Sequence, residues 1–179
     1  MLRLTKKADY SLIALKHFAA RQRGFDAGAG MVTPVALSAK EVSDTCGIPL
    51  PLLSKLLQKL GKSGFLIAEY GTNGGYRLAR DPRLISALEV IRAIDGPVVL
   101  ANCFTSEAFC SHSDRCTVKR PLRRIQEGIL QLLDSVSIED MVQDSDAEPP
   151  PASVRPLVAL QGVTKSAAPL HSVGSSISK

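Results

Sequence analysis

At 179 residues, 45% of them hydrophobic, the chain is long enough for one domain with a core plus appendages. No apolar run approaches the roughly 18 residues of a membrane span, and Met1 to Tyr10 lacks the apolar core of a secretory signal, so a cytoplasmic protein without a membrane partner is expected. The net charge of +5 is lopsided: residues 1–100 carry 14 Lys and Arg against 8 Asp and Glu, residues 101–143 carry 5 against 6, and residues 144–179 carry 3 against 3, which points to a polyanion partner for the first hundred residues.

From Ala8 to Ala20 the apolar residues Leu12, Ile13, Leu15, Phe18 and Ala19 recur at helical spacing. Thr5 reads as the N-cap and Asp9 falls in the first turn, where a carboxylate suits the helix dipole. Residues 21–37 are Gly-rich and read as a lengthened loop. Ser38-Ala39-Lys40-Glu41 has the capping-box form and predicts a short helix to about Cys46, stopped by Gly47. A second helix restarts at Ile48 and runs to Ser63. Pro49 and Pro51 suit its first turn, and Leu53, Leu56, Leu57 and Leu60 form one apolar stripe. Ser54, Lys55, Gln58, Lys59 and Lys62 occupy the other face. Two helices joined by a Gly-containing turn, the second presenting polar and basic side chains, make a helix-turn-helix; two amphipathic core helices with a solvated face is the plainer alternative.

The next stretch favours the helix-turn-helix. Phe65 to Tyr70 reads as a strand, Gly71 to Gly75 as a tight turn and Tyr76 to Ala79 as the return strand. A helix-turn-helix followed by a Gly-rich hairpin is the winged-helix arrangement, because a narrow tip poor in side chains can lie along a phosphate backbone. The glycines turn between two strands rather than into a helix, so they do not form a nucleotide cradle. No nucleophile–base pairing is visible either, and an enzyme is not expected. Ser86-Ala87-Leu88-Glu89 is a second capping box, opening a helix that stops at Gly96-Pro97. After an intervening polar loop, Leu122, Ile125, Ile129, Leu132, Leu133 and Val136 recur at steps of three and four, predicting a helix from about Val118 to Asp134 of the kind that forms dimers. Ser137 to Met141 adds a last turn. From Asp144 the composition turns to Pro, Ser, Ala and Gly with few large apolar residues, which reads as a disordered tail.

The polar loop runs Cys103-Phe-Thr-Ser-Glu-Ala-Phe-Cys110-Ser-His-Ser-Asp-Arg-Cys116 and holds three of the four cysteines. Clustered thiolates suit zinc, copper(I) or an iron–sulfur cluster, and structural disulfides are rare in the cytosol. Simple buried thiols are the alternative, but the polar neighbours do not look like core. The absence of a Cys-x-x-Cys pair disfavours a zinc ribbon. His112 lies between two of the cysteines, and its neutral imidazole is a competent fourth ligand. Cys46, at the turn between the two helices, reads as a small packed residue.

Helix-turn-helix, wing and cysteine loop in this order closely resemble the IscR/NsrR family of iron–sulfur winged-helix regulators over Leu2 to Met141. The most family-like pieces are Leu4 to Tyr10, Ile48 to Gly64, Gly71 to Arg80 and the cysteine loop, and Pro49 to Leu57 looks most like the branch that regulates the SUF iron–sulfur assembly operon. The resemblance implies a homodimeric repressor on a palindromic double-stranded operator, with the Ile48–Ser63 helix in the major groove and the wing on the adjacent minor groove. It also implies a cluster, [2Fe–2S] in most members, on Cys103, Cys110 and Cys116. Asp9 of the partner is a second candidate for fourth ligand, since some relatives use an equivalent carboxylate. Lys55, Lys59 and Arg77 are expected on phosphates, and Ser54 and Gln58 at base edges. Pro51, Leu52, Tyr70, Thr72 and Asn73 complete the expected DNA-facing set. The chain departs from many members at Tyr70, where Arg precedes the wing glycines, at Leu52 and Ser54, where Tyr and Glu are found, and at Lys119, where a ligating His occurs. The first two cysteines are also one residue further apart than in several members.

The expected architecture is therefore mostly α with a small β-hairpin wing. A winged helix-turn-helix occupies residues 1–96, a cysteine-rich loop 97–117, a long C-terminal dimerisation helix 118–143 and a tail 144–179. A cluster-free regulator that senses oxidants through a Cys110–Cys116 disulfide is the alternative function. A small iron–sulfur carrier is a remoter one, since it leaves the helix-turn-helix, the wing and the one-sided charge without a role.

Overall fold

The computed structural model describes residues 4–26, 36–71, 74–104 and 115–146. Six helices and one antiparallel hairpin follow in chain order: α1 (Lys6–Asp26), α2 (Ala39–Cys46), α3 (Leu50–Lys62), β1 (Leu66–Glu69), β2 (Gly75–Leu78), α4 (Ala87–Asp95), α5 (Lys119–Ser135) and α6 (Ile138–Asp146). Single 3-10 turns lie at Pro82–Leu84 and Asn102–Phe104. The mostly α fold with a β-hairpin wing is as the periodicities predict.

Helix α1 is the hub. Its Ala8, Ala14, Leu15, Phe18 and Ala19 are buried, and it packs against α2, α3, α4 and α6. The Thr5 hydroxyl accepts from the Ala8 N–H and donates to Asp95 at the end of α4, 2.7 Å away, so one residue caps α1 and ties it to α4. In α4 the capping box is complete, with Ser86 and Glu89 satisfying each other's backbone N–H. In α2 it is half formed: Ser38 accepts from the Glu41 N–H, but the Glu41 carboxylate pairs instead with Arg21 at 3.1 Å. Leu53, Leu56, Leu57 and Leu60 of α3 are at most 3% exposed, and a buried Leu contributes roughly 1.5–3 kcal/mol over an exposed one.

Three boundaries differ from the reading above. The segment read as loop from residue 21 is helical to Asp26, because Arg21, Gln22 and Arg23 are good helix formers. At its far end Leu37 exchanges two 2.9 Å backbone hydrogen bonds with Tyr76, adding a one-residue bridge to the hairpin. The segment 118–143 is two helices, not one. Val136 is extended (φ −96°, ψ 112°), and Ser137 and Asp140 cap α6 reciprocally: the Asp140 carboxylate accepts from the Ser137 N–H at 2.8 Å and the Ser137 hydroxyl accepts from the Asp140 N–H at 3.1 Å. Helix α6 then folds onto α1 with Ile138 and Val142 buried. It continues to Asp146, three residues into the segment read as tail; residues 147–179 lie outside the described residues.

Candidate nucleic-acid interface and thiol site

The helix-turn-helix is set by a short turn. Gly47 adopts φ +65°, a left-handed conformation that L side chains rarely take. This lets the Ile48 N–H reach the Ser43 carbonyl at 3.2 Å, while the Ser43 hydroxyl donates to the Ile48 carbonyl at 2.6 Å. Ile48 is buried in the turn, and α3 starts two residues later with Pro49 as cap and Pro51 in its first turn. With its leucines facing inwards, α3 exposes Pro51, Lys55, Gln58, Lys59 and Lys62, and half exposes Ser54. The helix carries three lysines and no carboxylate, a sign that suits a phosphate backbone. Leu52 is half-buried and packs against the core, so less of it is available to a ligand. Lys59 donates to the Ile94 carbonyl at 2.7 Å, where it also satisfies the C-terminal end of α4.

The wing owes its narrowness to two glycines. A Cβ on Gly74 would lie 2.7 Å from the Glu69 carbonyl oxygen, and one on Gly75 would lie 2.4 Å from that of Leu37. Neither clash has a flexible side chain to yield, so the tip and the Leu37 bridge exclude side chains at these two places. The Gly74 N–H closes the turn on the Gly71 carbonyl at 3.0 Å. Thr72 and Asn73 lie outside the described residues. Tyr70 beside them is 97% exposed. Arg77 forms an ion pair with Glu69 across the hairpin, and Arg80 pairs with Glu89 at 3.3 Å while lying over the Phe65 ring at 5.1 Å. Exposed pairs of this kind are worth roughly 0–1 kcal/mol, little enough for an approaching phosphate to compete for Arg77.

Of the thiol candidates, Cys103 sits in the Asn102–Phe104 turn and Cys116 three residues before α5. Both are half-buried free thiols. Cys110 and His112 lie outside the described residues. Asp9 is exposed in the first turn of α1. Among the described residues no three His, Cys, Asp or Glu side chains come together as a metal site, so Cys103, Cys116 and Asp9 do not form a ligand set by themselves. Cys46 is half-buried against the core, and burial pushes its thiol pKa up, with Lys16 pulling the other way.

Gln126 is the residue that sequence reasoning missed. It is 7% exposed, in a helix of otherwise amphipathic pattern, and its amide both donates to the Val98 carbonyl at 2.5 Å and accepts from the Leu100 N–H at 2.7 Å. The chain leading into Cys103 is thus fastened to the middle of α5. The available signal was a lone Gln on the inward side of a periodic helix, where a buried amide needs partners.

Comparison with known proteins agrees with this arrangement. Residues 4–144 match the Rrf2 family, described as iron-dependent transcriptional regulator. The chain is 31% identical over 144 residues to the rrf2-like HTH-type transcriptional regulator of Rhodobacter capsulatus, covering 78% of this chain and 91% of that protein. It is 34% identical over 146 residues to the HTH-type transcriptional regulator IscR of Xenorhabdus nematophila, covering 81% and 82%. Among solved structures, IscR of T. potens superposes with a TM-score of 0.57 at 26% identity, covering 80% of this chain and 88% of that one. CymR, the global cysteine regulator of B. subtilis, does so with 0.64 at 22%, covering 80% and 98%, a likeness of fold.

Proposed function

The chain belongs to the Rrf2 family of iron-dependent transcriptional regulators, and on that footing we propose that it is a homodimeric cytoplasmic repressor of iron–sulfur assembly genes that senses a bound cluster. It is a DNA-binding regulator rather than an enzyme; the sensing, the dimer and the direction of regulation are the proposal. What carries it is the Gln126 link: the residues entering the cysteine loop and the helix read as the dimer contact share two hydrogen bonds.

The donor set fits a cluster. Thiolates are the usual ligands of iron–sulfur centres, and two of the three loop cysteines are half-buried free thiols at either end of the loop. Cys103, Cys110 and Cys116 hold it, [2Fe–2S] by family likeness, with His112 as the favoured fourth ligand and Asp9 of the partner subunit as the other candidate. When bound, the cluster supplies an iron- and oxidant-sensitive centre whose presence is the signal. Gln126 transmits the position of residues 98–103 to α5, and α5 sets the separation of the two α3 helices. Lys55 and Arg77 bind phosphates, Lys59 does so from its place at the end of α4, and Ser54 and Gln58 reach base edges, with Pro51 and Leu52 in the first turn of α3 and Tyr70, Thr72 and Asn73 on the wing. The operator is a palindrome with half-sites about one helical turn, roughly 34 Å, apart.

Anaerobic purification with iron and sulfide counts tests the reading. The intact chain should carry a visible chromophore that Cys110→Ser abolishes, and His112→Ala should alter it more than Asp9→Ala. A colourless, iron-free protein that shows a reversible Cys110–Cys116 disulfide would instead establish the thiol-sensing alternative.

A further inference from the structure

One side of α5 is unanswered by the chain's own core. Val118 just before it, then Pro121, Ile125, Gly128, Leu132 and Ser135, recur at steps of three and four, and all six are exposed, Val118 by 55%, Ile125 by 53% and Leu132 by 60%. Such steps return to the same side of an α-helix, so the six make one seam along the whole element. The neighbouring side is already engaged by this chain, with Gln126 buried and Leu133 against the core. A groove of about 440 Å³ lined by Leu4, Ile91, Val98 and Ile129 adjoins the seam at Leu132.

Gly128 falls in the middle of that seam. A Cβ built on it meets nothing within 4 Å, so the chain's own packing does not require glycine there, while glycine weakens an exposed helix interior relative to alanine. A position without a side chain, halfway along an exposed apolar seam, is where a second helix can cross at close range.

Charge gives the direction of that second helix. From Arg115 to Arg124 the chain carries five Lys and Arg and no carboxylate; from Ile125 to Asp146 it carries six Asp and Glu and no Lys or Arg. This order opposes the helix macrodipole, which favours acids at the N-terminus and bases at the C-terminus. A parallel partner would set the two basic ends side by side. An antiparallel partner sets each basic end along an acidic one and opposes the two dipoles.

We infer that α5 is a self-complementary docking surface on which α5 of a second copy lies antiparallel, the two helices crossing at Gly128. The inference rests on the homodimer proposed above and adds its direction and crossing point.

The test replaces Ile125 in the full-length protein with the photo-crosslinker benzoylphenylalanine and maps the crosslinked peptide by mass spectrometry. An antiparallel crossing at Gly128 places position 125 roughly opposite the partner's Gln131, so products should fall on the acidic half of the partner helix. Products joining position 125 to its own counterpart overturn the inference and leave the homodimer standing. A chain that stays monomeric in sedimentation equilibrium overturns both. In parallel, Gly128→Leu should raise the dimer dissociation constant tenfold or more with helical circular dichroism unchanged or increased. An unchanged dissociation constant in that folded variant removes Gly128 from the contact.

Discussion

Helices α3 and α5 have similar amphipathic patterns and opposite fates. Helix α3 buries Leu53, Leu56, Leu57 and Leu60 within its own chain and turns lysines and a glutamine outward, whereas α5 leaves Val118, Ile125 and Leu132 more than half exposed and buries Gln126. An apolar face satisfied internally leaves the other face free to recognise something polar. An apolar face left open asks for a second surface. The difference separates the reading head, complete within one chain, from the sensing and pairing element, which is not.

The strongest way to break this comparison is to truncate the two apolar faces in turn. Leu57→Ala should lower the unfolding free energy by about 2–5 kcal/mol in urea titrations, the cost of a cavity at a fully buried leucine. Ile125→Ala should leave the fold of the single chain within about 0.5 kcal/mol, since surface changes rarely do more, yet shift the monomer–dimer balance towards monomer in sedimentation. Equal folding effects at the two sites would erase the distinction drawn here. Next in size is Gln126→Leu, which leaves the Val98 carbonyl and the Leu100 N–H without their partner and should cost about 1–3 kcal/mol. On the present account it also narrows the gap in operator affinity between cluster-loaded and cluster-free protein. On α3, Gln58→Ala should relax base preference at one operator position by about 1–3 kcal/mol, whereas Lys55→Ala should weaken all sequences alike and reduce the salt slope by about one. Fluorescence anisotropy with variant duplexes distinguishes these two.

The smallest effect concerns pH. The His17 pKa is pushed below its ordinary 6.5, first by burial and then by Arg21, with Glu41 pulling back, and its Nε2 has no hydrogen-bond partner. A depressed folded pKa means that the unfolded chain binds the proton more readily. This contribution to stability is complete above about pH 6.5 and declines as pH falls towards the folded pKa. His17→Gln should flatten that part of the urea midpoint profile between pH 7 and 5.

How legible this was in the sequence varies with the kind of signal. Helices α2, α3 and α4 were readable because cap residues and leucine spacing agreed, as at Ser38, Ser86 and the Leu53–Leu60 stripe. The wing was readable from its glycines, but the bridge at Leu37 was not, because one residue pairing across a gap in sequence has no periodicity. Helix α6 carried a Ser-x-x-Asp cap at Ser137 and Asp140 that was absorbed into the preceding helix, since the apolar steps run through Val136 without a break. Of the site, the outward residues of α3 followed from the same stripe that placed its core. The pairings of Lys59 with Ile94 and Arg77 with Glu69 depend on tertiary approach and left no local mark.

Everything turns on whether occupancy of the cysteine loop changes the grip on DNA. The direct measurement is the affinity of one anaerobic preparation for its own upstream palindrome, taken before and after removal of the cluster by a chelator. The account predicts that the loaded form binds at least about fivefold more tightly, the lower end of a coupling of ~1–3 kcal/mol. Equal affinities in the two states, with iron and sulfide verified in the first, would contradict it.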